Sequence, residues 1–187
     1  MAVMGEHICP WWLAYIFDNP LRLFFHNPAK MLGPYVEMGM TVLDVGCGMG
    51  FFSIGLAKLV GNGGCVISAD VQPKMLRTLK KRAKNAGVAH TIRLHQCEPG
   101  NLGIDTPVDF VLAFWMVHEV PDPGIFFHQI RSCLKSQGSL LIAEPRFHVS
   151  SERFQEILGE ARASGLNSYD TPLIKFSHSA VFKNNAA

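Results

Sequence analysis

The chain has 187 residues, of which 48% are hydrophobic and 17% are charged, and its formal net charge at pH 7 is +2. That length favours one domain, and the apolar fraction is enough to bury a core, which argues against a disordered chain. The small net charge gives no reason to expect nucleic-acid binding. Five widely spaced cysteines without a CxxC pair fit a reducing, cytoplasmic setting and predict no metal site. No apolar stretch reaches about 18 residues without a charge, so we expect no transmembrane helix.

Residues 1–40 are rich in aromatic side chains and are interrupted by proline. The dipeptides Asn19-Pro20 and Asn27-Pro28 are typical of a helix N-cap followed by the first helical position. We expect two or three short helices here, which are too short to form a core of their own. Residues 1–40 are therefore predicted to form an N-terminal helical cap on a single domain that spans residues 41–187.

From residue 41 onward, short apolar runs alternate with segments of helical period. The predicted strands cover 41–46, 65–70, 90–97, 108–117 and 138–144, and the predicted helices cover 51–61, 72–87, 122–135 and about 151–164. Strict alternation predicts a doubly wound parallel sheet that is covered on both faces, with right-handed crossovers. The tail 173–184 is predicted to add two short strands that turn near Ser177 and run antiparallel, completing a seven-stranded α/β fold.

Three glycines, Gly46, Gly48 and Gly50, follow the first predicted strand at alternate positions. A glycine loop between the first strand and first helix of such a sheet lies at the carboxyl ends of the strands, where ligands bind. A dinucleotide fingerprint would have glycine at the position of Phe51. Asp44, just before the glycines, would repel phosphates and suits a cationic ligand better.

The segment VLDVGCGMG, residues 42–50, resembles the first motif of the class I S-adenosylmethionine-dependent methyltransferases, small-molecule branch. Asp70 ends the second strand, where that family places an acid on the ribose hydroxyls, and Glu98 follows the third strand, near the family's adenine contact. The segments VDFVLAFWMVHEVPD and CLKSQGSLLIAEP resemble its fourth-strand and fifth-strand regions. The resemblance covers residues 41 to about 183 and implies a Rossmann-like methyltransferase fold with an antiparallel last strand.

The resemblance also implies a cofactor, S-adenosyl-L-methionine, with S-adenosyl-L-homocysteine as the product and no metal. It implies that Gly46 and Gly48 let the backbone approach the ligand, that Asp44 orients the loop and the ammonium group, and that Asp70 accepts the ribose hydroxyls. Cys47 is expected to contribute bulk rather than chemistry. The full set of expected cofactor-binding residues is Asp44, Gly46, Cys47, Gly48, Gly50, Asp70, Val71, Cys97, Glu98 and Phe114.

Candidates for the acceptor side lie after the fourth and fifth strands. His118 titrates near neutral pH and is the candidate catalytic base, although it could equally cap the strand end. Candidate substrate contacts, with local hydrogen bonding as the alternative for the last two, are His118, Glu119, Glu144 and Arg146.

Trp11 and Trp12 in the N-terminal cap are further candidates for substrate contact. Aromatic side chains there could form a substrate lid, or they could be a hydrophobic segment packed on the sheet edge. Because the two residues are adjacent, a helix would point them about 100° apart, so they cannot both line one wall.

The sequence therefore predicts a methyltransferase that transfers a methyl group to a small-molecule acceptor by direct in-line displacement. No Asn-Pro-Pro-Tyr segment follows the fourth strand, which argues by analogy with the family against methylation of nucleobase amino groups. The alternatives are a protein, RNA or metalloid acceptor, a catalytically silent nucleoside-binding module, and a nicotinamide-dependent oxidoreductase.

Overall fold

The structure, a computed structural model, describes residues 22–185, and the elements below belong to that part of the chain. Its strands are β1 Thr41–Val45, β2 Cys65–Asp70, β3 Ile92–Gln96, β4 Val108–Phe114, β5 Leu134–Pro145, β6 Asn167–Asp170 and β7 Ser177–Lys183. Its helices are α1 Arg22–Phe25, α2 Pro28–Leu32, α3 Phe51–Val60, α4 Pro73–Asn85, α5 Pro123–Cys133 and α6 Ser151–Ala163. A single 3₁₀ turn, Val117–Glu119, follows β4.

The strands form one seven-stranded sheet in the order β3-β2-β1-β4-β5-β7-β6. The pairs from β3 to β5 are parallel, whereas β7 runs antiparallel to both β5 and β6. The strand order reverses at β1, so the carboxyl ends of β1 and β4 flank the crevice in which such sheets bind ligands. The predicted fold, including its antiparallel last strand, is confirmed.

The position of the last two strands was predicted wrongly. The pair was expected within 173–184 with a turn at Ser177, but β6 lies earlier, at Asn167–Asp170, and Ser177 begins β7. The N–H of Ser177 donates to the carbonyl of Ile174, which places the turn before β7. All four residues of β6 are exposed, so this edge strand has no apolar pattern by which the sequence could reveal it.

Two hydrophobic layers cover the sheet, one on each face. Successive β1 residues show this alternation, because Val42 packs with α3 on one face and Leu43 packs with α5 and α6 on the other, both fully buried. α4 continues the first layer through Leu79. No helix within residues 22–185 is long and apolar enough to cross a membrane.

The described part of the N-terminal region attaches to the sheet domain through α1 and α2. Asn27 caps α2 by accepting a hydrogen bond from the N–H of Lys30 at 3.2 Å, with Pro28 at the first helical position, as the sequence predicts. The buried ring of His26 donates from Nε2 to the carbonyl of Lys175 at 2.9 Å and so ties α1 to the loop before β7. The domain boundary at residue 40 stays a prediction.

Candidate active site

A cavity of about 820 Å³ opens at the carboxyl ends of β1, β2 and β4. That volume is at the upper end of the range of roughly 300–1,000 Å³ found for small-molecule sites. Among the predicted site residues, those that line it are Asp44, Gly46, Cys47, Gly48, Asp70, Val71, Cys97, Glu98, Phe114, His118 and Glu119. Gly50, Glu144 and Arg146 are not among the lining residues of the described chain. Trp11 and Trp12 lie outside the described residues.

The three loop glycines adopt left-handed backbone conformations for different local reasons. Gly46, Gly48 and Gly50 have φ of 65°, 52° and 84°, values that favour glycine. A Cβ on Gly50 would lie 2.0 Å from Cδ1 of Leu79, so this glycine permits close packing of α3 on α4. A Cβ on Gly46 would lie 2.9 Å from that of Met116, whereas one on Gly48 would meet no atom within 4 Å. Gly48 is therefore the glycine with open space beside it.

Asp70 connects the end of β2 to the glycine loop. Its Oδ2 accepts the N–H of Gly48 at 2.9 Å, and its Oδ1 accepts the N–H of Gln72 at 2.8 Å. Burial raises the pKa of Asp70 even though both hydrogen bonds favour its charged form. The carboxylate fixes the loop, and each oxygen keeps a lone pair for a further donor.

Asp44 is buried and accepts a hydrogen bond from a residue of α3. Its Oδ2 accepts the hydroxyl of Ser53 at 2.5 Å, and Ser53 in turn accepts the hydroxyl of Ser68 at 2.9 Å. Burial raises the pKa of Asp44 to about 7, with a smaller contribution from the charge of Asp70. Asp44 thus anchors the start of α3 to β1 and β2, and its role in orienting an ammonium group stays a prediction.

The two cavity cysteines are poor nucleophiles as they stand. Cys47 packs with Leu76 and Leu79 of α4, and burial raises the pKa of its thiol well above the usual value. Burial likewise raises the pKa of Cys97 to about 11. Since the thiolate is the reactive form, the placement of Cys47 favours the predicted role of bulk rather than chemistry.

His118 and Glu144, predicted as separate candidates, form a hydrogen-bonded pair. Nδ1 of His118 donates to Oε2 of Glu144, which is fully buried at the end of β5. Oε1 of Glu144 accepts the backbone N–H groups of Met116 at 3.2 Å and Val117 at 2.9 Å. In the neutral ring, this pairing assigns the proton to Nδ1 and leaves the lone pair on Nε2.

The electrostatic surroundings of His118 favour its protonated form. Burial lowers the pKa of His118, but the hydrogen bond and charge of Glu144, together with the charge of Glu119, raise it above the usual value. Glu119 lies on the Nε2 side at 3.8 Å. The ring of His148 stands 4.8 Å from that of His118 and is exposed, so the pair lies close to solvent.

Arg146, a predicted substrate contact, is engaged with the backbone of β7. Its Nε donates to the carbonyl of Ser177 at 2.9 Å, and the residue is exposed beyond the end of β5. This is the local hydrogen bonding that the sequence left open as the alternative.

Several cavity residues were missed by sequence reasoning. Arg22 lies at the start of α1, and Trp115, Met116 and Phe147 follow β4 and β5. Trp115 has a left-handed φ of 58°, which is uncommon for an aromatic residue, and its indole N–H donates to Oγ of Ser177 at 2.9 Å. No local motif marks these residues, because α1, β4, β5 and β7 meet only in the folded chain.

Within residues 22–185, no group of three or more His, Cys, Asp or Glu side chains is arranged to hold a metal ion.

Comparison with known proteins decides the family. The model of a family described as "Methyltransferase domain" matches residues 37–173. The chain belongs to this methyltransferase family. Its glycine loop, Asp70 and the His118–Glu144 pair all lie within the matched region.

Curated methyltransferases share part of their length with this chain. The ubiquinone biosynthesis O-methyltransferase of Xanthomonas euvesicatoria pv. vesicatoria is 30% identical over 138 residues, covering 71% of this chain and 55% of the relative. The ubiquinone/menaquinone biosynthesis C-methyltransferase of Cellvibrio japonicus is 33% identical over 110 residues, covering 58% of this chain and 44% of the relative. The chain thus spans about half the length of these curated relatives.

Solved structures place the fold in the same family. A SAM-dependent methyltransferase from Aquifex aeolicus superposes with a TM-score of 0.84 at 26% identity, covering 94% of this chain and 99% of that protein. A putative S-adenosyl-L-methionine-dependent methyltransferase from Methanococcus maripaludis has a TM-score of 0.81 at 17% identity, covering 99% of each chain, and shows the fold alone.

Proposed function

We propose that this methyltransferase-family protein transfers a methyl group from S-adenosylmethionine to the hydroxyl of a small aromatic acceptor. The observation that carries the donor assignment is the acidity of the cavity, which is lined by the carboxylates of Asp70, Glu98 and Glu119 and by the buried carboxyl group of Asp44. Such a cavity suits a ligand with an ammonium and a sulfonium group. It is unsuited to a dinucleotide, whose two phosphates need backbone N–H groups without carboxylates beside them.

The residues at the glycine loop fit this donor. Open space beside Gly48 admits a ligand against the backbone, and a side chain there would fill it. The carboxylate of Asp70 faces the same cavity and retains acceptor capacity for two vicinal hydroxyls after binding Gly48 and Gln72. Asp70 would therefore hold the ribose, with Val71 and Phe114 as apolar cavity walls beside it.

When bound, the donor supplies an electrophilic methyl group on a positively charged sulfur. The protein's own contribution is to orient the acceptor, exclude water and remove the acceptor's proton. His118 accepts that proton at Nε2, while buried Glu144 holds Nδ1–H, fixes the ring and stabilises the imidazolium that results. Because His118 lies beside Glu119 and close to exposed His148, the proton can leave toward solvent.

The acceptor side of the cavity supports an aromatic hydroxyl. Its walls include Trp115, Phe147 and Phe126, and the rings of Trp115 and Phe147 are in edge-to-face contact at 5.5 Å. A phenol with a pKa near that of tyrosine, about 10, can lose its proton to an imidazole of raised pKa far more readily than an alcohol can. The Xanthomonas relative, which matches 71% of this chain, is named an O-methyltransferase, which agrees with transfer to oxygen, whereas the match to the C-methyltransferase covers 58%.

A small-molecule acceptor is favoured over a nucleic acid. The chain's net charge is +2, and among the described residues that line the cavity the acidic side chains outnumber the single arginine, so this lining offers no basic path to a phosphate backbone. The basic side chains of α4 form the solvated face of an amphipathic helix whose apolar face is buried against β2 and β3.

Isothermal titration calorimetry with S-adenosylhomocysteine tests the donor assignment, and NAD serves as the comparison ligand. We expect one site for S-adenosylhomocysteine and no heat from NAD; NAD binding without S-adenosylhomocysteine binding contradicts the proposal.

Transfer of a labelled methyl group to a set of phenols and to their ring-saturated alcohols tests the acceptor. We expect methylated phenols only, and methylated alcohols at equal rates would overturn the acceptor class.

A further inference from the structure

Most of the large hydrophobic side chains that are exposed within residues 22–185 lie on three segments beside the cavity. The segments are α1 with His26, the turn 146–148 after β5, and the loop 171–176 before β7; we call them together the aromatic patch. They carry six of the nine exposed large hydrophobic residues, namely Leu23, Phe24, Phe25, Phe147, Leu173 and Phe176. Exposed apolar side chains grouped in this way mark an interaction surface, whereas single ones are ordinary protein surface.

Contacts between the segments make the aromatic patch one surface. The ring of Phe25 in α1 meets that of Phe176 edge to face, with centroids 5.4 Å apart. The ammonium group of Lys175 lies 4.4 Å from the ring centroid of Phe25 and 5.3 Å from that of Phe176. The carbonyl of Phe176 accepts the N–H of Arg146 at 2.9 Å, which joins the turn after β5 to the loop before β7.

The loop before β7 holds its apolar side chains outward. Phe176 has a left-handed φ of 63°, a strained value for an aromatic residue, although its side chain is only half-buried. Leu173, three residues earlier, is 98% exposed. Strained backbone of this kind is typical of segments with a function beyond the packing of the chain itself.

The charge of the aromatic patch indicates the chemistry of its partner. Its three segments contain Arg22, Arg146 and Lys175 and no aspartate or glutamate. Aromatic and basic side chains together are typical of surfaces that bind anionic lipid headgroups, with the rings at the boundary of the acyl chains. A second copy of the patch would instead bring like charges together, which disfavours self-association through this surface.

The aromatic patch also adjoins the opening of the cavity. Arg22 and Phe147 belong to both, and the ring of His26 lies 5.2 Å from that of Trp115 in the cavity wall. We propose that the aromatic patch docks on the surface of an anionic lipid bilayer, so that the cavity opens toward the membrane. Docking does not depend on the proposed function, because it requires neither methyl donor nor acceptor.

Co-sedimentation of the full chain with lipid vesicles tests this inference. One set of vesicles contains phosphatidylcholine with phosphatidylglycerol, and the other contains phosphatidylcholine alone. We expect the affinity for the anionic vesicles to be about 10- to 100-fold higher, since each basic residue near a charged bilayer contributes about fivefold. The double variant Phe24→Ser with Leu173→Ser should bind about 10-fold more weakly or less still, and Lys175→Gln about fivefold more weakly.

Two substitutions outside the patch are the matched controls. Met38, between α2 and β1, is 83% exposed, as Phe24 is, and Lys84 is an exposed cation of α4. Met38→Ser and Lys84→Gln should bind vesicles as the wild type does. Should the double variant lose its cooperative thermal transition, Lys175→Gln decides.

Three results would overturn the inference and leave the proposed function standing. The first is a wild-type protein that binds neither kind of vesicle, or both equally. The second is a loss of binding in the controls equal to that in the patch variants. The third is a wild-type dimer that the double variant converts to a monomer in sedimentation velocity while vesicle binding is unchanged, since the patch would then bind a second copy of the chain.

Discussion

The two halves of the cavity are built in different ways. The donor half uses the loop after β1 and the ends of β2 and β3, which lie close in sequence, and Asp70 binds the backbone of Gly48 only 22 residues away. The acceptor half also joins a segment that is more distant in sequence, since Trp115, after β4, donates to Ser177 of β7 across 62 residues. The donor half is formed largely by backbone and leaves room for few side chains. The acceptor half is formed by side chains, so substitutions there can change which acceptor it binds.

The contrast extends to the two central acids. Asp44 on the donor half serves the fold, because it ties Ser53 of α3 to β1 and β2. In the proposed mechanism Glu144 on the acceptor half serves the chemistry, because its three hydrogen bonds hold His118 and the chain segment that carries it. Both acids are buried, so loss of either affects stability, but only Glu144 holds the proposed base.

The largest effect is expected at His118. His118→Gln removes the base, so turnover on a phenol acceptor should fall by about 10²- to 10⁴-fold. In the wild type, kcat/KM should rise with pH through a pKa above the usual histidine value, because only the neutral ring accepts a proton. Steady-state kinetics across pH check both; His128→Gln on the exposed side of α5 is the control, and full activity of His118→Gln would contradict the account.

Asp44 should make the free energy of unfolding depend on pH. Its pKa is raised to about 7 in the folded protein, so between about pH 4 and 7 the folded state holds a proton that the unfolded chain releases. This contribution to stability is present at low pH and is lost as the pH rises through 7. Relative to Asp44→Asn, the wild type should lose about 2 kcal/mol in unfolding free energy between pH 5 and 7.

Urea unfolding at several pH values measures that difference. Asp105→Asn, which removes an exposed carboxylate, is the matched control for the loss of one acidic side chain. A difference between wild type and Asp44→Asn that does not change with pH would contradict the raised pKa of Asp44.

The loop glycines allow stability and ligand binding to be separated. Gly50→Ala forces Leu79 to move, so it should lower the unfolding free energy by about 2–3 kcal/mol. Gly48→Ala meets no atom and should lower it by about 1–2 kcal/mol, the cost of the left-handed backbone, yet it should weaken S-adenosylhomocysteine binding. Gly87→Ala, also left-handed with open space, controls for backbone strain alone. Equal losses of stability at positions 48 and 50 would contradict this division.

The smallest effect is expected from Glu144→Gln on the titration of His118. The substitution removes the charge that raises the pKa of His118, so burial should dominate and the pKa should fall below that of the wild type. Proton NMR of the imidazole ring follows the titration directly, without an acceptor. An unchanged titration would show that Glu144 only positions the ring.

The sequence predicted the donor half far better than the acceptor half. Residues 41–50 were predictable because one strand, one turn and one helix fix their positions locally, and Asp70 was predictable because it ends β2, the strand that pairs with β1. The pairing of His118 with Glu144 depends on the register of β4 with β5, in which Phe114 lies opposite Ala143, and the position of Arg22 at the cavity depends on the docking of α1. Strand β6 was missed because an exposed edge strand of four polar or aromatic residues carries no period.

The division between the two halves is tested most directly by S-adenosylhomocysteine affinity in two variants measured side by side. Asp70→Asn removes a charge that faces the donor, whereas His118→Gln changes only the acceptor half. We predict that Asp70→Asn weakens binding by about 10-fold or more and that His118→Gln stays within about threefold of the wild type. Loss of binding in His118→Gln equal to that in Asp70→Asn, with both variants folded, would contradict the account.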